Sequence, residues 1–147
     1  MNNLDAHTAS TQPQLNAAAL HAQASGQTIL LVEDDKVLRR YLEVLLRRAG
    51  YVVVTAADGL EAIKIAFSSN VAAVVTDAVM PRLGGHELCR IIRSNRDRAR
   101  LPIVMLSGVA RDDSAAADST HADARLTKPI HSDELINCLK RLINRAA

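Results

Sequence analysis

A chain of 147 residues suffices for one domain with a sizeable core and leaves no room for a separate output domain. Its net charge of +2 is nearly balanced, and Tyr41, Tyr51 and Phe67 are its only aromatic residues, which argues against a strongly electrostatic nucleic-acid binder or a base-stacking platform. No apolar run approaches the ~20 residues of a membrane span, no basic and apolar leader opens the chain, and Cys89 and Cys138 have neither metal-ligand nor disulfide-framework spacing, so a cytoplasmic protein with reduced thiols is expected.

Residues 1–27 are rich in Ala, Gln, Asn, Thr and Ser, with little large apolar surface to offset the entropy of ordering, and read as a disordered N-terminal extension. A helix over Gln14–Ala24 would have only Leu15 and Leu20 to pack. From residue 28 to 147 strand-like and helical segments alternate, the pattern of βα units in an α/β domain. A strand over Thr28–Glu33 precedes a helix over Asp35–Ala49, which carries Leu38, Tyr41, Leu42, Leu45 and Leu46 at helical spacing and is closed by Gly50. After a strand over Tyr51–Thr55, Asp58-Gly59 opens a helix with Leu60, Ile63 and Phe67 on one stripe. A strand over Val71–Thr76 leads to Asp77 and the turn-rich MPRLGG loop, followed by a helix bearing Leu88, Ile91 and Ile92. A strand over Ile103–Leu106 ends at Ser107, and Arg111–Thr120, nearly all Ala, Asp and Ser, predicts a weakly packed helix. The last unit is a strand over Ala124–Thr127 and a helix capped by Ser132, with Leu135, Leu139, Leu142 and Ile143 inward.

The apolar runs do not alternate with polar residues, so they read as strands buried on both faces of a parallel sheet. Such strands share one carboxyl edge, where open α/β sheets bind ligands. Four of them stop there at groups that a metal or a phosphate would want: Glu33 and Asp34, Asp77, Ser107, and Lys128. One strand-end aspartate is more often a cap or a turn former, but four strand ends in agreement define a pocket. Three carboxylates together repel and call for a cation, and an oxygen-rich site that keeps water suits Mg²⁺, with Mn²⁺ able to substitute. Lys128 adds an ammonium and Ser107 a hydroxyl donor, which complete a cradle for a phosphoryl group. Asp77, at the end of the central strand, is the candidate nucleophile for an aspartyl phosphate.

Arg39, Arg40, Arg47 and Arg48, and then Arg90, Arg93, Arg96, Arg98 and Arg100, read as solvated helix faces. The five histidines show no metal-ligand spacing, and an exposed acidic turn accounts for His121 between Asp118 and Asp123.

The segments ILLVEDD, VVTDAVMPRLGG, PIVMLSG and RLTKP, in this order and spacing over Thr28–Arg145, resemble the receiver (CheY-like) domain of two-component response regulators. The resemblance implies a flavodoxin-like (βα)5 doubly wound parallel sheet with strand order 2-1-3-4-5. It further implies that Asp77 accepts a phosphoryl group from a phosphohistidine on a sensor histidine kinase or histidine phosphotransfer protein. Asp34 and the backbone carbonyl of Val79 would bind Mg²⁺ with Asp77, Glu33 would act through water, Ser107 and Lys128 would hold the phosphoryl group, and Lys128-Pro129 would be cis. Such a protein is a phosphoacceptor rather than a turnover enzyme. Its output would pass to a downstream protein through the surface of the fourth helix, fifth strand and last helix, without a DNA-binding domain. A monomer, or a weak or phosphorylation-dependent dimer, is expected.

The chain departs from that family at several positions. Arg125 stands where an aromatic switch residue is usual beside Ser107, and a buried guanidinium there would be costly. His121 replaces a small residue and Gly84 an aspartate. Val79 and Val109 cannot orient a hydrolytic water, so slow autodephosphorylation is expected. Other readings are an enzyme of the haloacid dehalogenase type, which usually carries a second aspartate where Val79 stands, a scaffold of receiver fold working through its arginines without phosphorylation, and a receiver fragment of a larger regulator or hybrid kinase.

Overall fold

The computed structural model describes residues 26–108 and 121–147. The expected helices over Gln14–Ala24 and Arg111–Thr120, residues 1–25 of the 1–27 extension read as disordered, and Val109 lie outside the described residues.

Among the described residues nine elements follow in chain order: β1 Thr28–Val32, α1 Lys36–Arg48, β2 Val52–Ala56, α2 Gly59–Ser68, β3 Ala73–Asp77, α3 Gly85–Ser94, β4 Ile103–Ser107, β5 Ala124–Thr127 and α4 Ser132–Ala146. The strands form one parallel sheet in the order β2-β1-β3-β4-β5, the expected doubly wound topology. Strand ends lie within two residues of the expected ones, those of β5 as expected, and Asp77 and Ser107 prove to be the last residues of β3 and β4.

The sheet separates two cores. Ile29 and Leu31 of β1 face Leu42, Leu46, Leu135 and Leu139 from α1 and α4. Leu30 and Val32 face Ala62, Ala66, Leu88 and Ile92 from α2 and α3. Burial on both faces is why these strands carry no polar alternation.

Helix α1 is defined at both ends by its own sequence. Asp35 Oδ1 accepts the Val37 and Leu38 N–H groups at 2.8 and 3.1 Å, and Gly50 follows the helix at φ 99°, where a side chain would be strained. Tyr41 stays 54% exposed, so the buried stripe is Leu42 and Leu46. In the last turn, Arg47 is held by Glu43 and donates from Nη2 to the Val53 carbonyl of edge strand β2 at 3.1 Å.

Three local expectations are corrected. In α2 only Ile63 of the expected stripe packs against the core, and it is half-buried; Gly59, Ala62 and Ala66 pack inward while Leu60 and Phe67 are exposed. In α4 the N-cap is His131, whose side chain makes no capping bond, and Ser132 is already helical. Arg93 is not a solvated charge. Its Nε donates to the His121 carbonyl at 2.9 Å, Nη1 to the Ala99 and Leu101 carbonyls at 3.2 and 2.6 Å, and Nη2 to Asp123 Oδ2 at 2.6 Å. Asp123 Oδ2 also accepts the Ile103 N–H at 2.8 Å, so one guanidinium ties the end of α3 to the starts of β4 and β5.

Candidate functional site

The carboxyl edge of the sheet gathers the predicted groups. Glu33 and Asp34 leave β1, Asp77 ends the neighbouring β3, Ser107 ends β4, and Lys128 follows β5. Carboxylate oxygens of Glu33, Asp34 and Asp77 all lie within 4.8 Å of one another. Lys128 Nζ stands 3.1 Å from Asp77 Oδ2 and 3.7 Å from Glu33 Oε2. Its backbone is tied down as well, since the Lys128 N–H donates to the Ser107 carbonyl at 2.8 Å. The Lys128-Pro129 peptide is cis, as expected.

The three acids differ in environment. Asp34 is exposed, Asp77 is buried at the strand end, and Glu33 is 1% exposed. Glu33 Oε1 accepts the Asp35 N–H at 3.2 Å, whereas Oε2 is buried without a hydrogen bond, 3.7 Å from the Lys128 ammonium. Burial first, and then the Asp77 charge, push the Glu33 carboxyl up to about 7 against the opposing pull of the Asp35 N–H and Lys128. Three clustered carboxylates facing one ammonium, with a buried oxygen lacking a donor, are a donor set that fits a hard divalent cation.

The loop after Asp77 closes the site. The Val79 N–H points at Asp77 Oδ1 across 3.4 Å, and the valine side chain is 69% exposed. Gly85 packs so tightly on the Asp77 carbonyl that a Cβ would collide with it, and its N–H donates to the Ala78 carbonyl at 3.0 Å. Ser107 is buried at the same edge, one residue beyond the Asp77–Leu106 register pair.

Arg125 is placed differently from the other predicted residues. It is half-buried on β5 and lines a groove with Glu134, Asn137, Cys138 and Arg141. Two contributors to the site's framework escaped the sequence reading. Arg39 Nη1 donates to the Glu33 carbonyl at 2.8 Å, and Arg82 Nη2 pairs with Asp58 Oδ2 at 3.0 Å. The helical position of Arg39, six residues after Glu33, is the only signal that could have suggested the first.

A five-stranded parallel sheet of this order with an acidic triad and a lysine at its carboxyl edge defines a receiver-type site. The chain belongs to the response regulator receiver domain family, whose family model matches residues 29–140. It is similar to Protein PilG of Pseudomonas aeruginosa, with 32% identity over 124 residues that cover 82% of this chain and 90% of that protein. It is also similar to Response regulator MprA of Mycobacterium sp. strain KMS, with 39% identity over 122 residues, 81% of this chain and 51% of that protein. The chain therefore spans most of one relative and about half of the other. Among solved structures, it superposes on the receiver domain of a sensor histidine kinase from Pseudomonas aeruginosa PAO1, crystallised with a magnesium ion coordinated in the active site cleft. That match has a TM-score of 0.77 and 34% identity, and covers 82% of this chain and 99% of the other. No helix among the described residues is long and apolar enough to cross a membrane.

Proposed function

We propose that the chain is a single-domain response regulator that takes a phosphoryl group onto Asp77 from a phosphohistidine of a sensor histidine kinase or histidine phosphotransfer protein and passes the signal on by protein–protein contact. The observation that carries this reading is the Glu33, Asp34 and Asp77 cluster within 4.8 Å, with Lys128 Nζ at 3.1 Å from Asp77. Asp34, Asp77 and the Val79 carbonyl would hold Mg²⁺, with Glu33 behind them, and Mn²⁺ would substitute. Bound there, the cation supplies charge neutralisation for the carboxylates and the incoming phosphoryl oxygens.

The protein's own groups account for the rest. An Asp77 carboxylate oxygen attacks phosphorus; the O–P bond forms as the P–N bond breaks, and the imidazole nitrogen leaves with the bonding pair and takes a proton from water. Lys128 faces the charge that develops on the phosphoryl oxygens, and the Ser107 hydroxyl donates to one of them. The exposed, apolar Val79 orients no water, so the acyl phosphate would be lost slowly and the protein would act as a phosphoacceptor rather than a turnover enzyme. Val37 and Val79 are exposed next to Asp34 and Asp77, an apolar rim suited to a protein donor. The buried free thiols of Cys89 and Cys138 accord with a reducing, cytoplasmic setting. Output would run through Ser107 to the β5–α4 surface, where Arg125 stands in place of an aromatic.

The test is intact mass after incubation with Mg²⁺ and acetyl phosphate. A gain of one phosphoryl group in the parent and none in Asp77→Asn is expected. A gain in both, or a parent that stays unmodified by acetyl phosphate and by phosphohistidine donors alike, would overturn the reading.

A further inference from the structure

Asp58 ends the connection from β2 to α2, is only 8% exposed, and directs its two carboxylate oxygens to different partners. Oδ1 caps α2 by accepting the Glu61 N–H at 2.9 Å, and Glu61 in turn accepts the Ala57 N–H at 2.9 Å. A cap needs one oxygen, and asparagine serves there as well as aspartate. Oδ2 is left to receive Arg82 Nη2 at 3.0 Å from the loop that follows Asp77.

Arg82 forms the crest of that loop in a backbone conformation unfavourable to an L side chain. It is the one non-glycine residue at positive φ, 69°, among the described residues. The Leu83 N–H closes a three-residue turn around it by donating to the Pro81 carbonyl at 2.8 Å. The crest also lies against the first turn of α2, where a Cβ on Gly59 would meet the Leu83 carbonyl at 2.5 Å. At its exit the loop is fixed by Gly85 on the Asp77 carbonyl. Val79 lies in the entry limb, between Asp77 at the end of β3 and Arg82 at the crest.

We propose that Asp58 and Arg82 are positioning residues for the acidic site: their ion pair holds the loop crest on the N-terminus of α2 and so fixes the Val79 backbone beside the Asp77 carboxylate. The proposal rests on the reading of Asp77 as a metal-dependent phosphoacceptor. Because the Arg82 side chain is 69% exposed, the pair adds little to folding stability, and its loss should register in the site rather than in the melting temperature.

The experiment compares the parent with Asp58→Asn, which keeps the cap, Arg82→Gln, the double variant, Arg82→Lys and the exposed control Arg96→Gln. Mg²⁺ dissociation constants are read by calorimetry without a phosphodonor, and the rate of mass gain is read against acetyl phosphate concentration. Each ion-pair variant should weaken Mg²⁺ binding about two- to fivefold and slow phosphorylation. The double variant should be no weaker than either single one, and Arg82→Lys and Arg96→Gln should match the parent. Thermal midpoints should move by no more than about 2 °C. Parental Mg²⁺ affinity in both single variants, or losses that add in the double variant, would overturn the proposal. A parent that binds no Mg²⁺ would instead overturn the proposed function and the proposal with it.

Discussion

Among the described carboxylates, Glu33 is the one whose charge the fold opposes most, since it is buried beside Asp77 with one oxygen lacking a donor. Its carboxyl rises from an ordinary 4.5 to about 7, so between those values the folded protein holds a proton that the unfolded chain releases. The stabilisation is complete below about 4.5 and disappears as pH rises through about 7. Metal-free protein should therefore lose thermal stability across that window, and Glu33→Gln should flatten the slope in melting curves taken at several pH values. Mg²⁺ favours the ionised carboxylate, so its affinity should weaken as pH falls below about 7, with proton release on binding. An equal slope in parent and Glu33→Gln would show that other groups carry the pH dependence.

At the scale of elements, the sequence exposed those whose local chemistry and tertiary role agree. The β1, β3 and β4 runs are apolar because both faces are covered, and α1 carries its own aspartate cap and trailing glycine, so each could be placed within a residue or two. Glu33, Asp34, Asp77 and Lys128 were legible for the same reason, as polar groups at the ends of apolar runs. Helix α2 was misread in part because the spacing of its large apolar residues does not mark which face meets the core, a tertiary matter that here favours Gly59, Ala62 and Ala66. Arg93 was misread because no local pattern marks a guanidinium that satisfies three carbonyls and a carboxylate distant in sequence. Its removal should leave Asp123 short of a cation and those carbonyls short of donors. Arg93→Ala is expected to cost about 2–3 kcal/mol in urea unfolding, against a few tenths for Arg96→Ala. A loss below about 0.5 kcal/mol would return Arg93 to the solvated face.

At the scale of the whole molecule, the doubly wound order makes β2 and β5 the edge strands of the sheet among the described residues. The Val52 N–H and the Ala56 carbonyl bond toward β1, so Val53 and Thr55 turn their backbone groups outward along an uncharged VVVTA segment. Such a margin is a template for strand addition by another chain. Arg47, steadied by Glu43, places its guanidinium on the outward Val53 carbonyl and brings a fixed positive charge to that margin. That charge is expected to oppose self-templating along the margin. Arg47→Ala should scatter light earlier than the parent on prolonged warming below the melting point, at nearly unchanged folding stability; an identical onset would leave the margin protected by other means.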